Sequence, residues 1–577
     1  MAPSRLYARI QIFPSKKVDL ILADNILVCV AWPYTNGFLH LGHLAGTYIP
    51  ADIFARFHRL KGNNVLMVSG SDQHGTPVTI RAEEEGKTPQ EIVDEYRPGQ
   101  LQAWEQLGIS FDLFTTTGTE NHKETVHDIF VTLLDKGLLF TRTTTQLFDT
   151  QAMRFLPDRY VEGKCPNCQF ERARGDQCDH CGKPMDPLEL INPSSRLSGS
   201  KPEPRETEHF FLKLSALQDQ LHDWVKQQTH WRPNVRNFTL GYLDEGLHDR
   251  AITRDITWGI PIPLPDYDGK RIYVWFEAVI GYLSASKEWA QNRGTPDAWK
   301  DWWSDPSAKA YYFLGKDNIP FHTIIWPGIL MGYDHTLNLP YDVPANEYMN
   351  LGTGKFSKSE GRAVWVPDYL ERYDPDPLRY FIASNMPESA DTEFTWAEFV
   401  RRNNDELVAT YGNLVHRVLS FIQRYFDGTV PHPETLTAED NFLLSEIDRT
   451  LEKVGHELAT CHFREALRSI LALAQNANRY LDSQAPWRTR RDNPTRAGTS
   501  LYVTLCAISG LKTLTAPYVP FSAEKLHQYL GLPGTIQQHG WSVQRPTPGQ
   551  ALPVPQALFT KLDDSLIEAE EQHMANG

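Results

Sequence analysis

No apolar run in this chain reaches the roughly eighteen residues that a membrane-spanning helix requires. The strongest candidate, residues 18–32, is broken by Asp24 and Asn25, so no membrane partner is expected. Cationic excess is lacking too. With 57 Lys and Arg against 72 Asp and Glu, the net charge of −15 argues against a general nucleic-acid coat protein. Basic residues grouped on one face of such a chain still suffice to bind RNA. Cysteine is scarce, at seven in 577 residues, and no secretory signal is recognised, which sets aside a disulfide scaffold. The first seventeen residues hold Arg5, Arg9, Lys16 and Lys17 and no acid, a faint transit-peptide signature. The expectation is a ragged amino-terminal extension on a cytoplasmic protein. Internal repeats are not found either. The remaining composition, 41% hydrophobic and 22% charged, is ordinary for a globular protein, and the length demands several domains.

Four of the seven cysteines stand together. Cys165, Cys168, Cys178 and Cys181 form C-x2-C-x9-C-x2-C, two knuckles that can supply four thiolates to one tetrahedral Zn2+. Four thiolates leave no open position, so the ion is expected to be structural, one per chain. His180 is an alternative ligand for one of them. Cys29, Cys461 and Cys506 lie in apolar contexts and read as core.

Residues 26–31 are an unbroken apolar run that reads as a buried strand, and Trp32 to Gly37 break it as a loop. From about His43, apolar Leu44, Ile49, Ile53, Phe57 and Leu60 predict a helix ending at Lys61 and Gly62. Residues 65–68 form a second strand and complete a βαβ unit. His40-Leu41-Gly42-His43 thus lies between the carboxyl end of a parallel strand and the amino end of a helix. Free N–H groups and the helix dipole favour anions there. Far downstream comes Lys355-Phe356-Ser357-Lys358-Ser359, flanked by Gly354 and Gly361 as a hinged loop would be. Most such Lys/Ser strings are solvated loops; its order after HLGH raises it above that.

Several motifs follow in order: HLGH, Gly70-Ser71-Asp72-Gln73-His74-Gly75-Thr76, Tyr273-Val274-Trp275-Phe276-Glu277-Ala278, Gly315-Lys316-Asp317, KFSKS and Ala485-Pro486-Trp487. Together they resemble class I aminoacyl-tRNA synthetases and, within them, the methionyl-tRNA synthetase family. The resemblance runs from Ile26 to at least Trp487. It implies an α/β fold, with a Rossmann-like nucleotide-binding parallel sheet, a zinc-bearing connective insertion and an α-helical bundle that binds the anticodon. The expected divisions are 1–135 and 251–345 for the catalytic halves, 136–250 for the insertion, 346–395 for the joining segment with KFSKS, and 396–577 for the bundle. Apolar stripes at Leu443, Leu444, Ile447, Leu451, Val454 and Leu458, and at Phe463, Leu467, Ile470 and Ala474, read as bundle core. The acidic tail from Thr560 is expected to fray after its helix.

The resemblance also implies roles. ATP, accompanied by Mg2+, would meet His40, Gly42 and His43 at its phosphates and Lys355 and Lys358 at the leaving pyrophosphate, while Gly315 and Asp317 face the ribose. L-Methionine would be held by Asp72 at its ammonium and by Trp32, Tyr34, Trp275, Ala278, Tyr282 and His322 around its side chain. Methionine tRNA, initiator and elongator, would be read by Asn413 and Arg417, one helical turn apart, and by Trp487, which precedes Arg488, Arg490 and Arg491. A monomer is expected. Phe356, Val279, Asn318 and Ala409 depart from the family pattern, which leaves the pocket shape and part of the anticodon readout open. The alternatives are another class I synthetase, specific for cysteine, leucine, isoleucine or valine, and a non-catalytic tRNA-binding relative. Against them stand the short insertion, the closed thiolate set and the intact HLGH and KFSKS motifs.

Overall fold

The computed structural model describes residues 23–157, 160–175, 178, 180–181, 185–352 and 363–576. Lys355 and Lys358, and the basic amino-terminal segment, lie outside the described residues.

A parallel sheet organises the first half of the chain. Strands β1 (Asn25–Val30), β2 (Asn64–Ser71), β3 (Leu113–Thr116) and β4 (Lys309–Phe313) lie in the order β4-β1-β2-β3. Val28 pairs with Tyr311 on one side and Met67 on the other. Burial is nearly continuous along β1, β2 and β4, as a sheet covered on both faces requires. Ile26, Val28, Val30, Met67, Tyr311 and Phe313 face one apolar cluster, while Leu27, Cys29, Leu66, Val68 and Tyr312 face another. Since β1 leads to β2 on one side and receives β4 from a distant crossover on the other, its carboxyl end is the switch point where such sheets bind ligands.

The insertion is built on a long antiparallel ribbon, Leu139–Asp149 against Glu203–Leu212. Between these strands the chain makes a small sheet of Val161–Lys164, Ala173–Arg174 and Ile191–Ser195, which carries the cysteine knuckles.

The carboxyl-terminal half is helical, with long helices Ala438–Ala459, Phe463–Gln484 and Pro494–Thr515. Leu443, Ile447, Leu458, Phe463 and Ile470 are buried in the same cluster as the β1 face, so bundle and sheet share one core. A buried ion pair fastens the seam. Arg379, fully buried on the helix Pro375–Ser384, donates to Asp52 (2.6 Å) on the helix that follows HLGH. It also donates to the carbonyls of Leu107, Pro517 and Tyr518. Cys29, Cys461 and Cys506 are buried, as their apolar contexts predict.

One local expectation is corrected. The aromatic run from Tyr273 to Trp275 reads as a strand, but Tyr273 caps the helix Val274–Asn292. A short apolar run does not distinguish a buried helix start from a strand. The acidic tail carries the helix expected of it. Its helix Ser565–Asn576 docks, with Glu570 buried and bonded to Arg372 (3.0 Å) and Tyr373 (2.6 Å). Among the described residues, no helix is long and apolar enough to cross a membrane.

Candidate functional site

Three loops leave the carboxyl edge of the sheet side by side: HLGH after β1, Asp72 to Thr76 after β2, and Gly315 to Asp317 after β4. In the first, histidines perform the exchange that Ser and Glu usually perform at a helix start. The His40 ring accepts from the Gly42 N–H at Nδ1 (3.2 Å), and the His43 ring accepts from the His40 N–H at Nδ1 (3.1 Å). Both Nδ1 atoms being acceptors, each ring carries its proton on Nε2 when neutral. The two rings lie 3.8 Å apart between centroids. The helix opens as Leu41–His43, widens by one residue per turn at Leu44–Tyr48, and continues as Ile49–Leu60.

HLGH is also stitched to the chain that leaves the KFSKS segment. Leu41 N–H donates to Val364 O (3.2 Å) and Val366 N–H to Leu39 O (2.8 Å). On the other side of that segment, Gly352 N–H donates to Phe394 O (3.2 Å). The described residues that flank it are thus held in place, Val364 and Val366 beside HLGH and Gly352 against the strand Thr392–Phe394.

Gly315 starts a single turn in which Lys316 is held by Glu347 and Asp391, both at 2.8 Å. Asp317 is exposed and accepts from the Tyr348 hydroxyl. No atom lies within 4 Å of where a Cβ at Gly315 would stand, so backbone and solvent meet there.

The second loop and the helix Val274–Asn292 are joined by a series of ring contacts. Tyr34 pairs with Asp72 through the backbone, its ring meets Trp275 edge-on (6.2 Å), and Trp275 stacks on Phe321 (4.1 Å, 15°). Ala278 lies partly buried one turn on from Trp275, on that helix. His322 follows Phe321 and bonds Tyr282. Its Nδ1 lies 2.8 Å from Asn318 O, which only a donor can satisfy, so its Nε2 accepts the Tyr282 hydroxyl proton at 2.7 Å. Burial pushes His322 down to about 4, keeping it neutral. The Trp32 indole is wedged so closely over Gly70 and Gly281 that any side chain at either glycine would strike it. Its buried Nε1 has no hydrogen-bond partner among the described residues. Asp72 is 3% exposed, and burial, with Glu277 nearby, raises its carboxyl to about 7.

Of the departures from the family pattern, Asn318 contributes its backbone carbonyl, which any residue supplies, and Val279 is core. Sequence reasoning passed over His74, His122, Glu277 and Phe321. His74 and Glu277 sat inside quoted motifs; His122 is a lone histidine on a helix and had no signal.

The thiol sulfurs of Cys165, Cys168, Cys178 and Cys181 all lie within 4.8 Å of one another, with 4.0 Å between Cys165 and Cys181 and 3.6 Å between Cys168 and Cys178. Ligands about 2.3 Å from a tetrahedral zinc stand about 3.8 Å apart. The set fits a metal ion. His180 instead stacks on Phe170 (5.5 Å, 16°).

On the bundle, Asn413 and Arg417 are both exposed on the helix Asn413–Tyr425. The Arg417 guanidinium lies 5.2 Å from the Trp487 ring centre and bonds Asp482 (2.8 Å). Trp487, 37% exposed, opens outward from the short helix Pro486–Thr489. That helix is set by Ala485 in the left-handed region at φ 40°. Arg490 from the same turn covers Tyr425 at 3.9 Å. Ala409 is exposed near the start of this helix.

Comparison with known proteins agrees with this layout. Residues 26–419 match a family model described as class I tRNA synthetases (M), and residues 430–576 match the anticodon binding domain of methionyl tRNA ligase. A methionine–tRNA ligase of Thermomicrobium roseum is 52% identical, covering 96% of this chain and 99% of its own. One from Dehalococcoides mccartyi is 55% identical, covering 96% and 100%. Among solved structures, Mycobacterium tuberculosis methionyl-tRNA synthetase bound by methionyl-adenylate is similar with a TM-score of 0.77 at 26% identity, covering 93% of this chain and all of that one. On two family models in tandem and relatives more than half identical along nearly their whole length, the chain belongs to the methionyl-tRNA synthetase family.

Proposed function

We propose that this chain activates L-methionine with ATP and transfers the methionyl group to the 3′ end of methionine tRNA, releasing AMP and pyrophosphate. In the first step a methionine carboxylate oxygen bonds to the α-phosphorus as the bond to the β-phosphate oxygen breaks and pyrophosphate leaves. Little covalent help is needed; positioning and fixed charge carry the rate. The Nε2–H donors of His40 and His43, at a helix start, supply that charge to the phosphates. Lys355 and Lys358 serve the leaving pyrophosphate, a reading supported by the bonds that Val364 and Val366, just downstream, make to HLGH. Gly315 and Asp317 receive the ribose, with Tyr348 orienting Asp317. Mg2+ accompanies ATP as its counter-ion.

Asp72 takes the substrate ammonium, and Trp32, Tyr34, Trp275, Ala278, Tyr282 and His322 enclose the thioether. The observation that carries the amino-acid assignment is this contact series, which runs unbroken from a buried carboxylate to a buried aromatic and imidazole wall. The cysteine site would hold zinc, whose role is to stiffen the insertion; none of the steps above passes through it. Asn413, Arg417 and Trp487 form a face with amide, guanidinium and indole for unstacked anticodon bases.

ATP–pyrophosphate exchange measured with each of the twenty amino acids tests the reading. Methionine is expected to stimulate exchange well above leucine, isoleucine, valine or cysteine. Equal stimulation by another amino acid would overturn the specificity, and no stimulation by any would overturn the catalysis.

A further inference from the structure

A second buried carboxylate lies behind the methionine pocket. Glu277 is fully buried on the helix Val274–Asn292, between Trp275 and Ala278 in sequence. Both of its oxygens stand 3.1 Å from His74 Nδ1. His122, on the helix Glu120–Asp135, brings Nε2 to 3.8 Å of it and is itself bonded through Nδ1 to Ser284 (2.8 Å). His74 also donates its backbone N–H to Asp72 Oδ1 at 3.1 Å. The path Asp72–His74–Glu277 therefore crosses from the loop after β2 to the helix that carries Trp275, Ala278 and Tyr282.

The charges at this crossing do not balance. Asp72 and Glu277 are two buried carboxylates, and one imidazole, His74, stands between them. The neighbouring His122 is pushed down to about 3 by burial and stays neutral. A buried uncompensated charge is tolerated only where something pairs with it. A cationic ligand at Asp72 completes the set.

Resting on the proposed activation of methionine, we infer that Glu277 is a positioning residue for the substrate ammonium. It acts through His74, locking the Asp72 loop to the helix that walls the thioether and holding the second negative charge of a box that the ammonium neutralises. Glu277 does not touch substrate in this account. Its loss loosens and re-charges the ammonium end of the pocket while the thioether end and the ATP site keep their own contacts.

The test uses the full chain carrying Glu277→Gln, which keeps shape and one acceptor but removes the charge. In methionine-dependent exchange the KM for methionine should rise roughly tenfold to a hundredfold, the loss of a hydrogen bond to a charged group. Turnover and the KM for ATP should stay within about threefold. Two inhibitors separate positioning from general packing. L-Methioninol keeps the ammonium and thioether, so its inhibition constant should rise with the methionine KM. 4-(Methylthio)butanoate lacks the amino group, and its constant should not move. A parallel rise for both inhibitors, or a rise in the ATP KM of the same size, overturns the inference. If Glu277→Gln fails to fold, His74→Gln breaks the link from the other side while keeping the backbone donor to Asp72. An unchanged methioninol constant in that folded variant also overturns it. Wild-type protein without methionine-dependent exchange would instead overturn the proposed function.

Discussion

Asp72→Asn should make the protein more stable and a far poorer enzyme, in the same tube. The carboxyl is 3% exposed, and its value rises from 3.8 to about 7, first through burial and then through Glu277. The native state thus keeps its proton to a higher pH than the unfolded chain does. Stability from this group is fully present below pH 3.8, is lost as pH rises towards 7, and stays lost above it. At about 1.4 kcal/mol per tenfold change in ionisation constant, the ionised group costs about 4 kcal/mol of folding free energy at pH 8. Asparagine removes that cost and keeps Oδ1 as acceptor for the His74 N–H. Thermal unfolding at pH 8 should move up by several degrees, given about 2–4 °C per kcal/mol for a unit of about 150–250 residues. Methionine binding should move the other way, since losing one partner of a buried charge pair costs about 2–5 kcal/mol, roughly thirtyfold or more in KM. In the wild type the same ionisation should appear as an acid limb. Below about pH 7 a protonated Asp72 cannot hold an ammonium, so kcat/KM for methionine should fall about tenfold per pH unit. A flat profile between pH 8 and 6, or an Asp72→Asn variant that is destabilised and keeps its methionine KM, would refute the reasoning.

The Arg379–Asp52 pair gives a stability prediction of opposite sign. Arg379→Met removes the donor to three buried carbonyls and leaves Asp52 with only Arg56 and Ser110, and urea unfolding should report a loss of about 3–5 kcal/mol; a loss under about 1 kcal/mol means the seam does not depend on it. Cys178→Ser should empty the metal site, measured as zinc per chain after dialysis, and full retention would remove Cys178 from the ligand set. Trp487→Ala should weaken tRNA binding by about 1–3 kcal/mol with methionine activation near normal; equal damage to both would make the indole a packing residue.

Much of the site was legible because its chemistry is bound to local sequence. HLGH after an apolar run already placed two imidazoles at a helix start, since strand, loop and helix were all short-range. The cysteine spacing likewise placed four thiols within reach of one ion. The pocket was legible only as a roster of aromatics. That Trp275 stacks on Phe321, or that Tyr282 gives its proton to His322, depends on two helices packing on one sheet face. The misread strand at Tyr273 has a simpler origin, because a three-residue apolar run is too short to show either period.

By itself, then, the sequence determined the βαβ start, the knuckles, the helical stripes of the bundle and the order of the motifs. Each of these depends on neighbours a few residues apart. Only the tertiary structure decided the proton positions on His40, His43 and His322, the crossing from Asp72 through His74 to Glu277, and the Arg379 seam that joins bundle to sheet. The three tautomers are set by backbone groups two to four residues away, which the sequence does not orient, while the Glu277 and Arg379 partners lie far along the chain. Burial and charge pairing act through space, and no local pattern records them.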